Sequence, residues 1–344
     1  MPTLVKPPRL KQGDTIGLIS PSWCGAGMVP HRYKNGIKNL FQLGFRTLIG
    51  AHTLDVTGYT AGSAIERAHD INTMFANKQV KAIMCTIGGD HSNQVIPYLN
   101  WDIIKKNPKI FIGYSDATVL HLAFYTQAKL ITFYGPCLIT QFGEYPNILE
   151  YSKNYFLKAT VNSNPIGKIV PSSKYTDEVM NWFDRSDLKR PRKLSSNIGF
   201  EWLRGGHAQG ILLGGCLPSL MHLRGTKYWP SFDKKLLFLE IPEGESIYHG
   251  LKVETVDSLL ADLELSQVFE GINALIIGKI YRYNREDNEL LKQRILAITK
   301  KYSFPILYNV NFGHTDPIIT IPYGIKATLN SDEDEFYIKE SALL

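Results

Sequence analysis

Apolar residues in the first half of the chain fall into short unbroken runs, separated by stretches in which they recur every three or four positions. The runs at 15–20, 45–49, 80–87 and 109–114 read as strands, and the periodic stretches at 33–43, 64–75 and 117–128 read as helices. A strand that is apolar at nearly every position is buried on both faces, which a parallel sheet flanked by helices provides. The alternation predicts an α/β fold with a doubly wound, mostly parallel sheet over residues 1–165. Residues 166–196 break the rhythm with Pro171, Ser172-Ser173 and the charged run 184–193, and read as an interdomain linker. Beyond it, strands at 208–213, 236–241, 272–277 and 305–310 surround an amphipathic helix at 251–270, whose Val256, Leu259, Leu260 and Leu263 share one face. A further helix is expected at 288–302. Residues 197–344 are therefore expected to form a second, β-rich α/β domain.

Composition narrows the functional classes. The 344 residues are 44% apolar and 20% charged, the balance of a globular chain with a sizeable core. Net charge is only +6, with Lys and Arg scattered, so no nucleic-acid partner is expected. No apolar stretch reaches the roughly 18 residues a bilayer span needs, so no membrane partner is expected either. Residues 1–8 lack the apolar core of a signal peptide, which makes the cytoplasm the expected compartment. The four cysteines are far apart with no C-x-x-C pair, against a zinc ribbon or dithiol centre. Cys85 and Cys137 read as small core residues. Neither G-x-G-x-x-G nor a Walker motif occurs, and neither a metal nor an organic cofactor is expected.

The sharpest chemical signal is Gly113-Tyr114-Ser115-Asp116-Ala117, where an apolar strand meets a helix. A serine nucleophile on a tight strand-to-helix turn needs small residues two positions to either side, and Gly113 and Ala117 supply them. Ser115 or Asp116 also suits a simple helix cap. Gly88-Gly89 at another strand end would let backbone amides approach a ligand, or would merely turn the chain. A nucleophilic serine needs a base and an orienting acid. Of nine histidines, His121 reads as a core residue, while His31, His52 and His69 read as surface positions. His314 lies in a glycine-flanked loop after a strand, where function concentrates. Glu240 closes an apolar strand, a costly place for a carboxylate without hydrogen bonds; Glu243 and Glu245 read as a solvated loop. Trp182, Phe183 and Arg185 in the linker, with Trp202 as a second aromatic, are candidates to stack on a ligand ring or to meet its anionic group. The same aromatics also suit pinning of the linker.

Taken in order, Gly13-Asp14 through Pro21-Ser22, Gly88-Gly89, Gly113-Tyr114-Ser115-Asp116, Gly214-Gly215, Leu237-Phe238-Leu239-Glu240, Gly278-Lys279 and Gly313-His314 resemble the LD-carboxypeptidase family of serine peptidases across nearly the whole chain. The resemblance implies Ser115 as nucleophile, Glu240 and His314 as its partners, and the amides of Gly89, Asp90 and Asp116 as an oxyanion hole. It implies an active site between two domains and a homodimer. Gly88-Gly89-Asp90-His91-Ser92, where the family more usually has G-G-Y-G, is similar to a branch acting on peptidyl nucleotides. Ile241 and Ser258 stand where the family often has Asp and Arg, which weighs against a murein substrate. The implied substrate is therefore a small-molecule peptidyl or aminoacyl nucleotide such as processed microcin C, with self-immunity as the outcome. A murein tetrapeptide carboxypeptidase and a non-catalytic nucleotide-peptide binding module are the alternatives.

Overall fold

The computed structural model describes residues 4–344, so the reading of the chain's first three residues lies outside the described part. Two sheets organise the fold. The first has six strands in the spatial order Ile321–Pro322, Phe133–Tyr134, Ile110–Gly113, Val80–Cys85, Thr15–Ile19, Arg46–Ile49. All neighbours are parallel except the pair formed by Ile321–Pro322, which runs antiparallel to Phe133–Tyr134. That strand arrives from the far end of the chain and ties the two halves together. The central strands are buried almost throughout, whereas the edge strand Arg46–Ile49 is half exposed. Helix Ala64–Ala76 starts where Ser63 accepts the Glu66 amide and the Glu66 carboxylate accepts the Ser63 amide, a reciprocal cap.

The second sheet has eight strands and is mixed. Its parallel centre is His207–Cys216, Lys235–Glu240, Ala274–Gly278 and Ile306–Val310, and antiparallel strands flank it on both sides. Lys235–Glu240 is buried at every position, consistent with a strand covered on both faces. Helix Val253–Leu265 turns Val256, Leu260 and Leu263 into the core, and Arg285–Ile298 packs beside it. The expected single helix at 117–128 is instead a 3-10 turn at Ser115–Ala117, an α-helix Thr118–Ala123 and a wider π turn Phe124–Ala128.

His121 is the core residue expected. Its ring sits between Thr132 Oγ1 and the Gly113 carbonyl at 2.9 Å each, and burial pushes its pKa down to about 3, so the ring is neutral. His31 is a correction: it is mostly buried, with Nε2 3.1 Å from Asp187 Oδ1. All four cysteines are buried thiols. Among the described residues, no helix is long and apolar enough to cross a membrane.

Candidate active site

The strand Ile110–Gly113 ends at Tyr114, and the chain turns at once into the 3-10 turn that begins with Ser115. Ser115 has φ of 60°, a left-handed value that a residue with a side chain keeps only when its surroundings hold it there. Its amide donates to Tyr134 Oη at 3.0 Å, and its carbonyl accepts from Thr118 Oγ1 at 2.7 Å. The second sheet supplies the facing groups. His314 places Nε2 3.1 Å from Ser115 Oγ and Nδ1 2.7 Å from Glu240 Oε2. The other carboxylate oxygen accepts from Tyr134 Oη at 2.6 Å. Glu240 is only 1% exposed, and a partner on each oxygen offsets the cost of burying it. Gly313, at φ 102°, lets the histidine loop come this close: a Cβ there would meet Glu240 Oε2 at 2.4 Å.

Tyr134 is the residue sequence reasoning missed. It belongs to a two-residue strand, and its hydroxyl links Ser115 to Glu240 across 19 and 106 residues of chain. Replacing Tyr134 with Phe should leave the fold intact but strand the Ser115 amide and one Glu240 oxygen. We expect a stability loss of about 1–3 kcal/mol, read by urea denaturation, together with a fall in kcat.

Electrostatics at His314 set its protonation. Burial alone would lower its pKa, but the carboxylates of Glu240 and Glu243, the Glu240 hydrogen bond and Asp316 together push it up to about 9. The rings of Tyr114 and Tyr281, at 5.0 and 6.3 Å, also face it; burial pushes both phenols up, and they stay neutral. A base must be deprotonated, so kcat/KM should rise with pH through an apparent pKa near 9. Glu243→Gln should move that limb to lower pH, as a pH profile of initial rates will show. The sign for stability is the opposite. The raised pKa stabilises the fold fully below the unfolded value of about 6.5, and that contribution fades as pH climbs through 9.

Glu243 itself corrects the expectation of a solvated loop. Its side chain is 36% exposed, yet Oε2 lies 3.2 Å from His314 Nε2. The Gly88-Gly89 turn packs directly on the serine: a Cβ at Gly88 would sit 2.9 Å from Ser115 Cβ and 3.2 Å from the Asp116 amide nitrogen. Buried Asp116 holds the following turn by accepting the His91 and Ser92 amides at 3.0 and 2.8 Å. Burial raises its carboxyl pKa, against the hydrogen bonds that lower it.

A cavity of about 480 Å³ opens over these groups. Gly89, Asp90, Ser115 and His314 line it, as do Trp182 and Phe183 from the expected linker. Arg185 and Trp202 do not. Arg185 is exposed at a left-handed turn, and the Trp202 indole is held at the sheet edge by Asp334 Oδ1 at 2.8 Å. The cations that do reach the cavity are Arg32 and Arg192. Arg32 bonds Asp187 at 2.9 Å, and Arg192 bridges Glu144 and Asp316 at 2.9 and 2.5 Å. Among the described residues, no cluster of His, Cys, Asp and Glu could hold a metal ion.

The LD-carboxypeptidase N-terminal domain family matches residues 16–135, and the LD-carboxypeptidase C-terminal domain family matches residues 209–329. The chain is 32% identical to the microcin C7 self-immunity protein MccF of Escherichia coli, over 99% of this chain and 97% of that protein. It is 30% identical to a putative carboxypeptidase of Vibrio cholerae over 96% of each. The solved structure of MccF in complex with aspartyl sulfamoyl adenosine matches with a TM-score of 0.90 at 31% identity, covering 99% of this chain and 100% of that one. With both domain families matched in order, the chain belongs to the LD-carboxypeptidase family of serine peptidases.

Proposed function

We propose that this protein is a serine amidohydrolase that cleaves the amide bond between an aminoacyl or peptidyl group and a nucleotide, conferring immunity to antibiotics of the microcin C type. The observation that carries this reading is a single cavity lined both by Ser115 and His314 and by Trp182 and Phe183. Ser115 Oγ attacks the carbonyl carbon while its proton passes to His314 Nε2. The amides of Gly89, Asp90 and Asp116 receive the developing oxyanion. His314 then protonates the departing nitrogen, and the nucleotide leaves. Water, deprotonated by His314, hydrolyses the acyl-serine ester and restores the enzyme. Glu240 holds the imidazole in the tautomer that presents a free Nε2 to the serine. On the family resemblance, the enzyme works in the cytoplasm as a homodimer.

Trp182 is assigned to the nucleobase. The Arg32 guanidinium lies over its ring at 4.3 Å, which steadies the indole, and a base would stack on the ring for about 1–3 kcal/mol. Trp182→Ala is therefore expected to raise KM about tenfold to a hundredfold with the melting temperature unchanged. A lower melting temperature with KM untouched would make Trp182 a packing residue.

The reading as a whole is tested by product analysis. The purified protein is incubated in parallel with aspartyl sulfamoyl adenosine and with a murein tetrapeptide, and the products are identified by mass spectrometry. Free aspartate plus sulfamoyl adenosine is the expected result. Loss of the terminal residue from the tetrapeptide alone would favour cell-wall recycling, and no reaction with either compound would favour a binding module.

A further inference from the structure

We propose that Arg67, a buried residue outside the cavity, is a positioning residue for the oxyanion hole. Together with Asp116 it grips the His91–Ser92 peptide and so fixes the turn that presents the Gly89 and Asp90 amides. The inference rests on the serine-hydrolase reading above and on its assignment of those amides to the oxyanion.

The turn at 88–92 needs holding because two of its amides have no protein partner. Among the described residues neither the Gly89 nor the Asp90 N–H donates to a protein acceptor. An amide kept free for a ligand does nothing to fix its own loop, so other groups must do so. Gly89 also stands at φ 138°, where a Cβ would meet Ser22 Oγ at 2.5 Å.

The hold comes from both ends of the pair. Before it, the Trp23 amide donates to the Gly88 carbonyl at 3.1 Å. After it, the His91 amide donates to Ser22 Oγ at 2.8 Å and to Asp116 Oδ2 at 3.0 Å. The next peptide, His91–Ser92, is gripped on two sides. Its N–H donates to Asp116 Oδ2 at 2.8 Å, and its carbonyl accepts from Arg67 Nη1 at 3.0 Å. A trans peptide points these groups in opposite directions, so a buried anion and a buried cation hold it between them.

Arg67 is a firm anchor because every nitrogen of its fork is used. Nη1 also donates to the Pro21 carbonyl at 2.5 Å, Nε to the Gly62 carbonyl at 3.3 Å and Nη2 to Gln94 Oε1 at 2.8 Å. One guanidinium thus ties segments 21–23 and 91–94, which flank the turn, to helix Ala64–Ala76. Burial lowers the Arg67 pKa and the Asp116 charge works against that, as expected of two charges acting across one peptide. An ammonium cannot reproduce the fork, since its donors radiate from a single nitrogen. Arg67 does not line the cavity, so its effect on rate has to pass through the turn.

The test uses Arg67→Lys, which keeps the buried charge and loses the fork, and Asp116→Asn, which keeps the shape and loses the charge. Each is measured by turnover of aspartyl sulfamoyl adenosine and by the rate and final stoichiometry of fluorophosphonate labelling. Arg67→Lys is expected to lower kcat and the labelling rate together, by about ten- to a hundredfold. That is less than the roughly 10²–10³ for an oxyanion donor lost outright. KM should stay within about twofold, and labelling should still reach one equivalent, the mark of folded sites that react slowly. Asp116→Asn should lower both rates by about three- to tenfold, because a neutral acceptor holds the two amides less strongly. An unchanged rate per labelled site in either variant would overturn the inference. A loss of kcat accounted for wholly by unlabelled protein would do the same, leaving Arg67 a packing residue. Labelling carries the test even if the substrate is another acyl compound. A wild type that neither turns over nor labels would instead overturn the hydrolase reading, and this inference with it.

Discussion

Ser115→Ala is expected to lower kcat by about 10⁴- to 10⁶-fold while the substrate still binds, because the covalent path closes and the cavity keeps its shape. The expectation follows from the turn that carries the residue. Ser115 stands at φ 60° with its amide tied to Tyr134 and its carbonyl to Thr118, so losing one oxygen does not release the backbone. His314→Ala should cost nearly as much, and combining it with Glu240→Ala should add little, since a nucleophile, base and acid act as one unit. Losses that multiply would mean that the three side chains work independently. Turnover of aspartyl sulfamoyl adenosine and its equilibrium affinity, measured on the same variants, separate chemistry from binding.

The second large effect is on the fold. Arg192→Ala is expected to destabilise the protein by about 3–5 kcal/mol, the cost of leaving buried carboxylates without their counter-ion. Arg192 is the common partner of Glu144 and Asp316, and Gln141 Nε2 donates to the other Asp316 oxygen at 3.0 Å. Arg32 joins the same group through Asp187 and Glu144. These residues come from helix Pro30–Gln42, the cavity rim, the segment at 177–193 and the histidine loop, so the network ties the segment carrying Trp182 to that helix and to the loop that carries His314. Urea denaturation should show the loss directly. The exposed Arg190–Glu178 pair is the contrast: Arg190 is well solvated, and removing it should do far less.

What was legible in the sequence was local. The strand-to-helix turn at Ser115 announces itself through Gly113 and Ala117, because only small residues fit there. Glu240 stands out as an acid closing an apolar strand, and His314 as a histidine between glycine and a turn. Choosing His314 from nine histidines needed the ordered family motifs, since nothing near it in sequence shows that Ser115 lies 3.1 Å away. Contacts that join distant segments left no local trace. The side chains of Tyr134, Arg32 and Arg192 depend on partners up to 155 residues away, and neither pattern has a period or a spacing to read. The strand Ile321–Pro322 crosses into the first sheet for the same reason. Glu243 misled because Pro242-Glu243-Gly244-Glu245 reads as an exposed turn, although the loop folds one carboxylate oxygen against His314. Trp202 misled because an aromatic ring fits an edge strand as well as a ligand, and its indole is satisfied by Asp334.

The central claim is that Ser115 is a nucleophile made reactive by His314 and Glu240. Fluorophosphonate labelling followed by peptide mapping tests it most directly. The account predicts one stoichiometric phosphonyl adduct on Ser115, formed faster as pH rises toward 9 and nearly abolished in His314→Ala. An unlabelled protein, or an adduct on another residue with Ser115 untouched, would contradict it.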